Sequence, residues 1–224
     1  MPMTDPVVKI FLLFGRSGCG KGTQAELLAK KYNLPVYGGG DLLRERAAKN
    51  DFSGRKLKAV LLSGGLAPTS LIYKEWVGKF DAFKDDPGFS GLIFDGSPRK
   101  KLEAELLSQA FDWYEWPDVY PVLLEISRQE AENRLLKRRI CKTCKNIIPY
   151  IGRFKDLEKC DKCGGELERR PDDTEEAIKG RMDYYEKEVA PMLEYYRQKN
   201  QLLEIDGEQA IEKVFVDIVK AIEN

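Results

Sequence analysis

A glycine-rich stretch, Gly15-Arg16-Ser17-Gly18-Cys19-Gly20-Lys21-Gly22-Thr23-Gln24, lies between an apolar run, Val7–Phe14, and an amphipathic segment, Gln24–Lys31. The order is buried strand, glycine loop, helix, and few folds accept it. Glycines Gly15, Gly18, Gly20 and Gly22 let backbone N–H groups converge on an anion, with Ser17 and Cys19 between them and Thr23 directly after. The helix that follows adds the partial positive charge of its N-terminus. Lys21 is placed to reach the outer phosphates, and the hydroxyl residue Thr23 stands one position later than in the common Gly-Lys-Ser/Thr pattern. A turn carrying a merely solvated lysine would need neither flank. The segment points to a bound nucleoside triphosphate and to a parallel α/β fold.

The rest of the chain agrees with that fold class. Apolar runs Leu34–Tyr37, Gly91–Asp95, Val119–Ile126 and Leu202–Asp206 read as further strands. Helical patterns at Leu102–Trp113, Gln129–Arg139, Thr174–Gln198 and Gln209–Ile222 lie between or after them. The alternation predicts a doubly wound, five-stranded parallel sheet with ligands at the strands' carboxyl ends. Two stretches break the rhythm: 38–67, helical and punctuated by glycine, and 138–173, which holds four of the five cysteines. Both are expected as lobes inserted into one core made of 1–37, 68–137 and 174–224. Asp173 is expected to cap the helix after the second lobe, with Glu176 completing a capping box.

With 224 residues the chain can bury one sizeable core. Lysine plus arginine and aspartate plus glutamate both total 37, so the formal net charge is zero and the basic excess of a nucleic-acid binder is missing. No apolar run nears the roughly 20 residues that span a bilayer, and Met1–Pro6 does not resemble a signal peptide. A monomeric, cytoplasmic protein with no nucleic-acid or membrane partner is expected. Histidine is absent, so acid–base and metal chemistry fall to other side chains.

Cys141-x2-Cys144 and Cys160-x2-Cys163 have fifteen residues between them, a spacing suited to four thiolates around one structural zinc ion. Gly164 and Gly165 suit the tight turn of such a knuckle. Two disulfides are the alternative, disfavoured inside a cell. Four protein ligands close the site, so the metal would staple its loop rather than activate water. Cys19 stands apart and reads as a small residue tolerated in the phosphate loop.

The arginines gather around the same region. Arg134 and Arg138 share a helix face, Arg170 closes the cysteine loop, Arg181 follows on the next helix, Arg44 lies in the first lobe, and Arg99 follows a strand end. A single one would be read as a solvated charge, whereas their joint placement suits phosphoryl transfer, which needs positioning and charge neutralisation.

With these motifs the sequence resembles the adenylate kinase family, its bacterial members with a zinc-containing lid in particular, over nearly all its length. The matching segments are Gly15–Gln24, Gly40-Asp41-Leu42-Leu43-Arg44, Asp95-Gly96-Ser97-Pro98-Arg99, Arg134–Arg139, Arg170-Pro171-Asp172-Asp173 and Ile205-Asp206-Gly207. The resemblance implies transfer of the γ-phosphoryl group of MgATP to AMP, giving two ADP. Lys21 would hold the transferred group, Arg44 and Arg99 the acceptor phosphate. Arg138, Arg170 and Arg181 would neutralise the spreading charge, Arg170 and Arg181 also meeting the acceptor. Arg134 would stack on the donor base beside Gly207, and Asp95 would hold waters of the magnesium ion, with Gly96 in the acceptor site. No general base is needed, since the acceptor oxygen is already anionic.

Three positions of the acceptor base pocket depart from the family. Gly39 replaces a threonine, Ser97 a phenylalanine, and Glu103 a glutamine. A carboxylate accepts but cannot donate, so Glu103 facing the base would loosen selectivity toward GMP or CMP. Alternatively it starts a helix and points to solvent. Kinases for other monophosphates, a non-catalytic nucleotide-binding regulator and a zinc-knuckle RNA adaptor remain as rival readings. The intact set of Lys21, Asp95 and arginines argues against the regulator, and acidic residues among the lid lysines argue against the adaptor.

Overall fold

The computed structural model describes residues 8–62 and 67–223, and of Asp41 the backbone only. Strand β1 (Lys9–Phe14) is the centre of a parallel sheet. Its neighbours are β3 (Gly91–Asp95) and β4 (Asp118–Glu125), with β2 (Val36–Gly38) and β8 (Leu203–Asp206) at the edges, in the order β2-β3-β1-β4-β8. The sequence predicts these strands to within a residue or two. Val7, assigned to the first of them, lies outside the described residues.

A strand covered on both faces reads as continuous apolar sequence, and β1 shows why. Ile10, Leu12 and Phe14 point to one face, packing with Leu92, Phe94 and a group of aromatic rings. Phe11 and Leu13 point to the other, with Ile93, Val122 and Leu124. The first face is covered by α4 (Thr69–Lys84), α5 (Lys101–Trp113) and α8 (Ala190–Gln198). There Phe80 meets Tyr114 and Trp116 edge-on, with ring centroids 5.6 and 5.2 Å apart. The second face is covered by α1 (Lys21–Tyr32), α6 (Arg128–Lys137), α7 (Glu175–Tyr184) and α9 (Ile211–Glu223).

Two segments leave this frame. After β2 the chain forms α2 (Gly39–Ala47) and α3 (Phe52–Leu62). The end of the predicted first lobe, 63–66, lies outside the described residues. After α6 the chain forms β5 (Arg139–Cys141), β6 (Ile147–Ile148) and β7 (Leu167–Arg169), an antiparallel sheet of order β6-β5-β7. The helix predicted to run to Arg139 stops at Lys137, because Arg138 takes an extended conformation and leads into β5.

The helix predicted as unbroken over Thr174–Gln198 contains a π turn, Tyr185–Val189, between α7 and α8. Pro191 in the first turn of α8 explains it. A proline ring lacks the N–H and crowds the carbonyl four residues earlier, at Lys187, and a widened turn relieves both.

The helix start also corrects the sequence reading. Thr174, not Asp173, caps α7, its hydroxyl accepting from the Ala177 N–H at 3.2 Å. Asp173 is buried, and its carboxylate takes two charged partners instead, Arg138 and Arg181. A charge-assisted pair outcompetes one backbone N–H, and the adjacent threonine supplies the cap.

Candidate active site

The glycine loop begins where β1 ends, at the carboxyl edge of the sheet. Gly15 has φ 140°, and a Cβ there would stand 2.4 Å from the Leu124 carbonyl oxygen and 2.6 Å from Cys19 Sγ. Cys19 therefore fills the space beneath the loop, which is a packing role in keeping with its burial. Gly20, left-handed at φ 102°, caps α1 and sends the chain into Lys21. The Lys21 ammonium folds back over the loop, donating to the Gly15 carbonyl at 2.7 Å and the Arg16 carbonyl at 3.0 Å.

The loop forms the floor of a cleft of about 810 Å³. Ser17, Gly18, Cys19, Gly20, Lys21, Gly22 and Thr23 line that floor. Asp95, Gly96 and Arg99 come from the end of β3, Gly40 and Arg44 from α2. Arg134, Arg138, Arg170, Arg181 and Gly207 close the far side. Lys21 and six arginines distant in sequence are thus brought to one cavity. Gly15, Gly39 and Glu103 do not line it.

Several of these cations lean on carboxylates. Asp173 accepts from Arg138 through both oxygens at 2.8 Å, and from Arg181 at 2.7 Å. Burial pushes the Asp173 carboxyl up, but the two guanidinium groups outweigh it and hold it below the usual carboxylate range. Arg170 pairs with Asp172 at 3.2 Å. Arg134, itself buried, donates to Glu130 at 2.6 Å and to the Gly207 carbonyl at 3.0 Å, which fixes its plane beside the Gly207 loop. The Asp95 carboxylate makes no hydrogen bond or ion pair among the described residues, and its Oδ2 would lie 3.6 Å from a Cβ at Gly22.

Sequence reasoning misses Asp173 as a site residue, because a cap and an arginine partner look alike in sequence. The adjacent Asp172-Asp173 beside Arg170 is the available signal. Replacement by asparagine is expected to cost about 2 kcal/mol, less than a fully buried pair because Arg181 is partly exposed. A lowered folded pKa makes this contribution complete at neutral pH and removes it as pH falls through that pKa. Urea unfolding of both proteins should therefore show the full difference at pH 7 and a narrowing gap below about pH 4.

Other residues also escape the sequence reading. The Arg16 guanidinium lies 4.6 Å from the Tyr185 ring centre and donates to the Ile126 carbonyl at 3.0 Å, bracing the glycine loop against the π turn. Ile147, Pro149, Tyr150 and Phe154 carry the small sheet's apolar side to the cleft. Tyr150 packs under the ammonium groups of Lys137 and Lys155, 4.8 and 5.3 Å from its ring centre.

Glu103 neither points to solvent nor lines the cleft. It is buried at the start of α5, where Oε2 accepts from the Arg99 N–H at 2.8 Å and the Lys100 N–H at 3.3 Å, while Oε1 accepts from Thr69 at 3.4 Å. Orphan N–H groups at a helix start draw a carboxylate inward.

The four clustered cysteines meet at one point. Their sulfurs all lie within 4.8 Å of one another, with Cys141–Cys163 at 3.5 Å and Cys144–Cys160 at 3.6 Å. Zinc–sulfur bonds of about 2.3 Å in a tetrahedron place sulfurs about 3.8 Å apart, so the set fits that ion. The two Cys-x2-Cys turns are built alike: Lys145 and Gly164, next after each pair, are left-handed at φ 58° and 71°. Their N–H groups bond back to the carbonyls of Cys141 and Cys160 at 3.1 and 2.8 Å.

A glycine loop at the carboxyl end of the central parallel strand, a helix N-terminus beyond it and a ring of guanidinium groups define a P-loop phosphotransferase. The family model described as adenylate kinase matches residues 13–201. An adenylate kinase of Methanocella arvoryzae is 38% identical over 218 residues, covering 95% of this chain and 97% of the relative. One from Chlamydia muridarum is 36% identical over 221 residues, covering 94% and 86%. One from Archaeoglobus fulgidus is 35% identical over 216 residues, covering 95% and 97%. The chain belongs to the adenylate kinase family and is a phosphotransferase of that class.

Proposed function

We propose that the protein transfers the γ-phosphoryl group of ATP to AMP, reversibly, giving two ADP. The observation that carries this is a single cleft with cations on both sides of one transfer point. Lys21 and the loop's N–H groups suit the donor phosphates, and Arg44 and Arg99 suit an acceptor phosphate across from them. Arg138, Arg170 and Arg181 supply charge where negative charge spreads over the moving group, so the barrier falls without covalent chemistry. Arg138 and Arg181 are already aimed by Asp173, which lessens reorganisation. Arg134, held beside Gly207, offers its plane to the donor base. No proton acceptor is required, because the attacking phosphate oxygen is anionic.

A magnesium ion travelling with ATP would neutralise charge between its phosphates. The Asp95 carboxylate, facing Gly22 and without a partner among the described residues, suits the waters of such an ion. Zinc would be held by Cys141, Cys144, Cys160 and Cys163 and act on the fold alone. No helix among the described residues is long and apolar enough to cross a membrane. A cytoplasmic setting fits four thiols shaped for a metal rather than for disulfides.

ADP formation from ATP with AMP, GMP, CMP or UMP in turn tests the reading. AMP should give the highest kcat/KM. No ADP with any of the four would overturn it and leave a nucleotide-binding regulator.

A further inference from the structure

Trp113, the last residue of α5, is 81% exposed, whereas Trp76 and Trp116 are 2% exposed in the core. It makes no ring or cation contact among the described residues. Leu102, at the other end of the helix, is 54% exposed, and the half-buried Leu106 and the exposed Gln109 lie between them. With 3.6 residues to a turn, positions 102, 106, 109 and 113 form one stripe along the helix. The opposite stripe, Ala104, Leu107, Ala110 and Phe111, already packs against the parallel sheet. One apolar stripe suffices to hold a surface helix, and α5 carries a second. An indole left in water forgoes most of what its burial offers.

The charges on that outer face run against the helix dipole. Lys100 and Lys101 stand at the N-terminal end and Asp112 in the last turn, where the reverse order is favoured. Lys101 has a loose ion pair with Glu105 at 3.8 Å, and Asp112 has none among the described residues. A second α5 laid antiparallel turns both costs into gains, because each basic end then meets an acidic one. The spacing suits this arrangement. Leu102 and Trp113 are eleven positions apart, and so are Lys101 and Asp112, three helical turns in each case. One two-fold axis across the middle of the helix therefore sets Leu102 against Trp113 and Lys101 against Asp112, twice over. A closed two-fold contact requires such self-complementarity.

We infer that two copies of this protein dock through α5, antiparallel about a two-fold axis, in place of the monomer expected from the sequence. The two indoles would bury about 400 Å² of the contact. A specific interface buries at least about 1,200 Å² in all, so the polar flanks supply the larger share and the dimer is weak, dissociating on the order of 10 µM. None of Leu102, Leu106, Gln109 and Trp113 lines the cleft, so the contact is separate from the site described above and does not rest on its reading.

Sedimentation velocity of the full chain between about 1 and 200 µM should show conversion from 25.6 kDa to twice that mass, half complete at about 10 µM. Iodide should quench Trp113 in dilute protein and lose that access in concentrated protein. Trp113→Glu should stay monomeric throughout, with ADP formation as in the parent. Lys101→Glu and Asp112→Lys should each weaken the dimer at least about tenfold, and the two together should restore it, since opposite charges face each other again. A parent protein that is monomeric at every concentration overturns the proposal and leaves the stripe to a different partner. Dimers of Trp113→Glu as tight as the parent's also overturn it. So does a double charge reversal no tighter than the single ones, or growth past the dimer, the mark of an open contact.

Discussion

Lys21→Met should lower kcat for phosphoryl transfer by at least about 100-fold, on the order of 3 kcal/mol of barrier, while the protein stays folded. Lys21 is the cation of the glycine loop itself, resting on the Gly15 and Arg16 carbonyls at 2.7 and 3.0 Å. Those two bonds are weak enough to give up when a γ-phosphoryl group, carrying a full charge, offers itself. Methionine keeps the volume of the stem and cannot follow the charge. The loop carbonyls it leaves can turn to water, so the melting temperature should shift by only a few degrees. Steady-state ADP formation and a thermal melt read the two halves of this expectation. Turnover close to that of the parent would remove Lys21 from the chemistry.

Removal of zinc should have the largest effect on stability. Beyond the thiols, the small sheet β5–β7 is held by a minor cluster in which Cys141, Ile148 and Cys160 are the buried members, with Phe154, Leu157 and Leu167 against them. Such a cluster cannot offset the chain entropy of the segment, so a metal on the four thiols is expected to supply the difference. Elemental analysis should find one zinc per chain. Chelation, or Cys141→Ser, should split unfolding into two transitions, with the small sheet lost on the order of 10 °C or more before the parallel sheet. Hydrogen exchange should accelerate over Arg139–Arg169, whereas β1 and β3 keep their protection. Metal-free protein with four freely titrating thiols and an unaltered melt would contradict this.

Buried parallel strands leave a plain mark in sequence. Ile10–Phe14 and Leu92–Phe94 face apolar surroundings on both sides, so unbroken apolar runs locate them. The glycine loop is equally legible, because its residues are bound to their neighbours in the chain. What escapes depends on partners far away. Asp173 and Thr174 are both good caps, and only the arrival of Arg138 and Arg181, on separate helix ends, decides between them. Pro191 does carry a signal of the π turn, since a proline inside a helical pattern must disturb it. Glu103 illustrates a third case. Its position three residues into α5 is that of a capping acid, and Thr69 on another helix draws it further inward than local rules foresee. Residues that charge the cleft can be nominated one by one, but their convergence is a property of the parallel crossovers.

The Arg138–Asp173 pair joins the residue just before β5 to a residue just after β7, with both carboxylate oxygens at 2.8 Å. The small sheet therefore grows from a clamped stem whose ends are already together. Loop-closure entropy rises only with the logarithm of length, so the stem tolerates inserts of very different size. The zinc-shaped sheet is then an exchangeable cassette. A short polar loop or a metal-free lobe could be grafted onto the same two residues, and the parallel sheet would register little of the exchange.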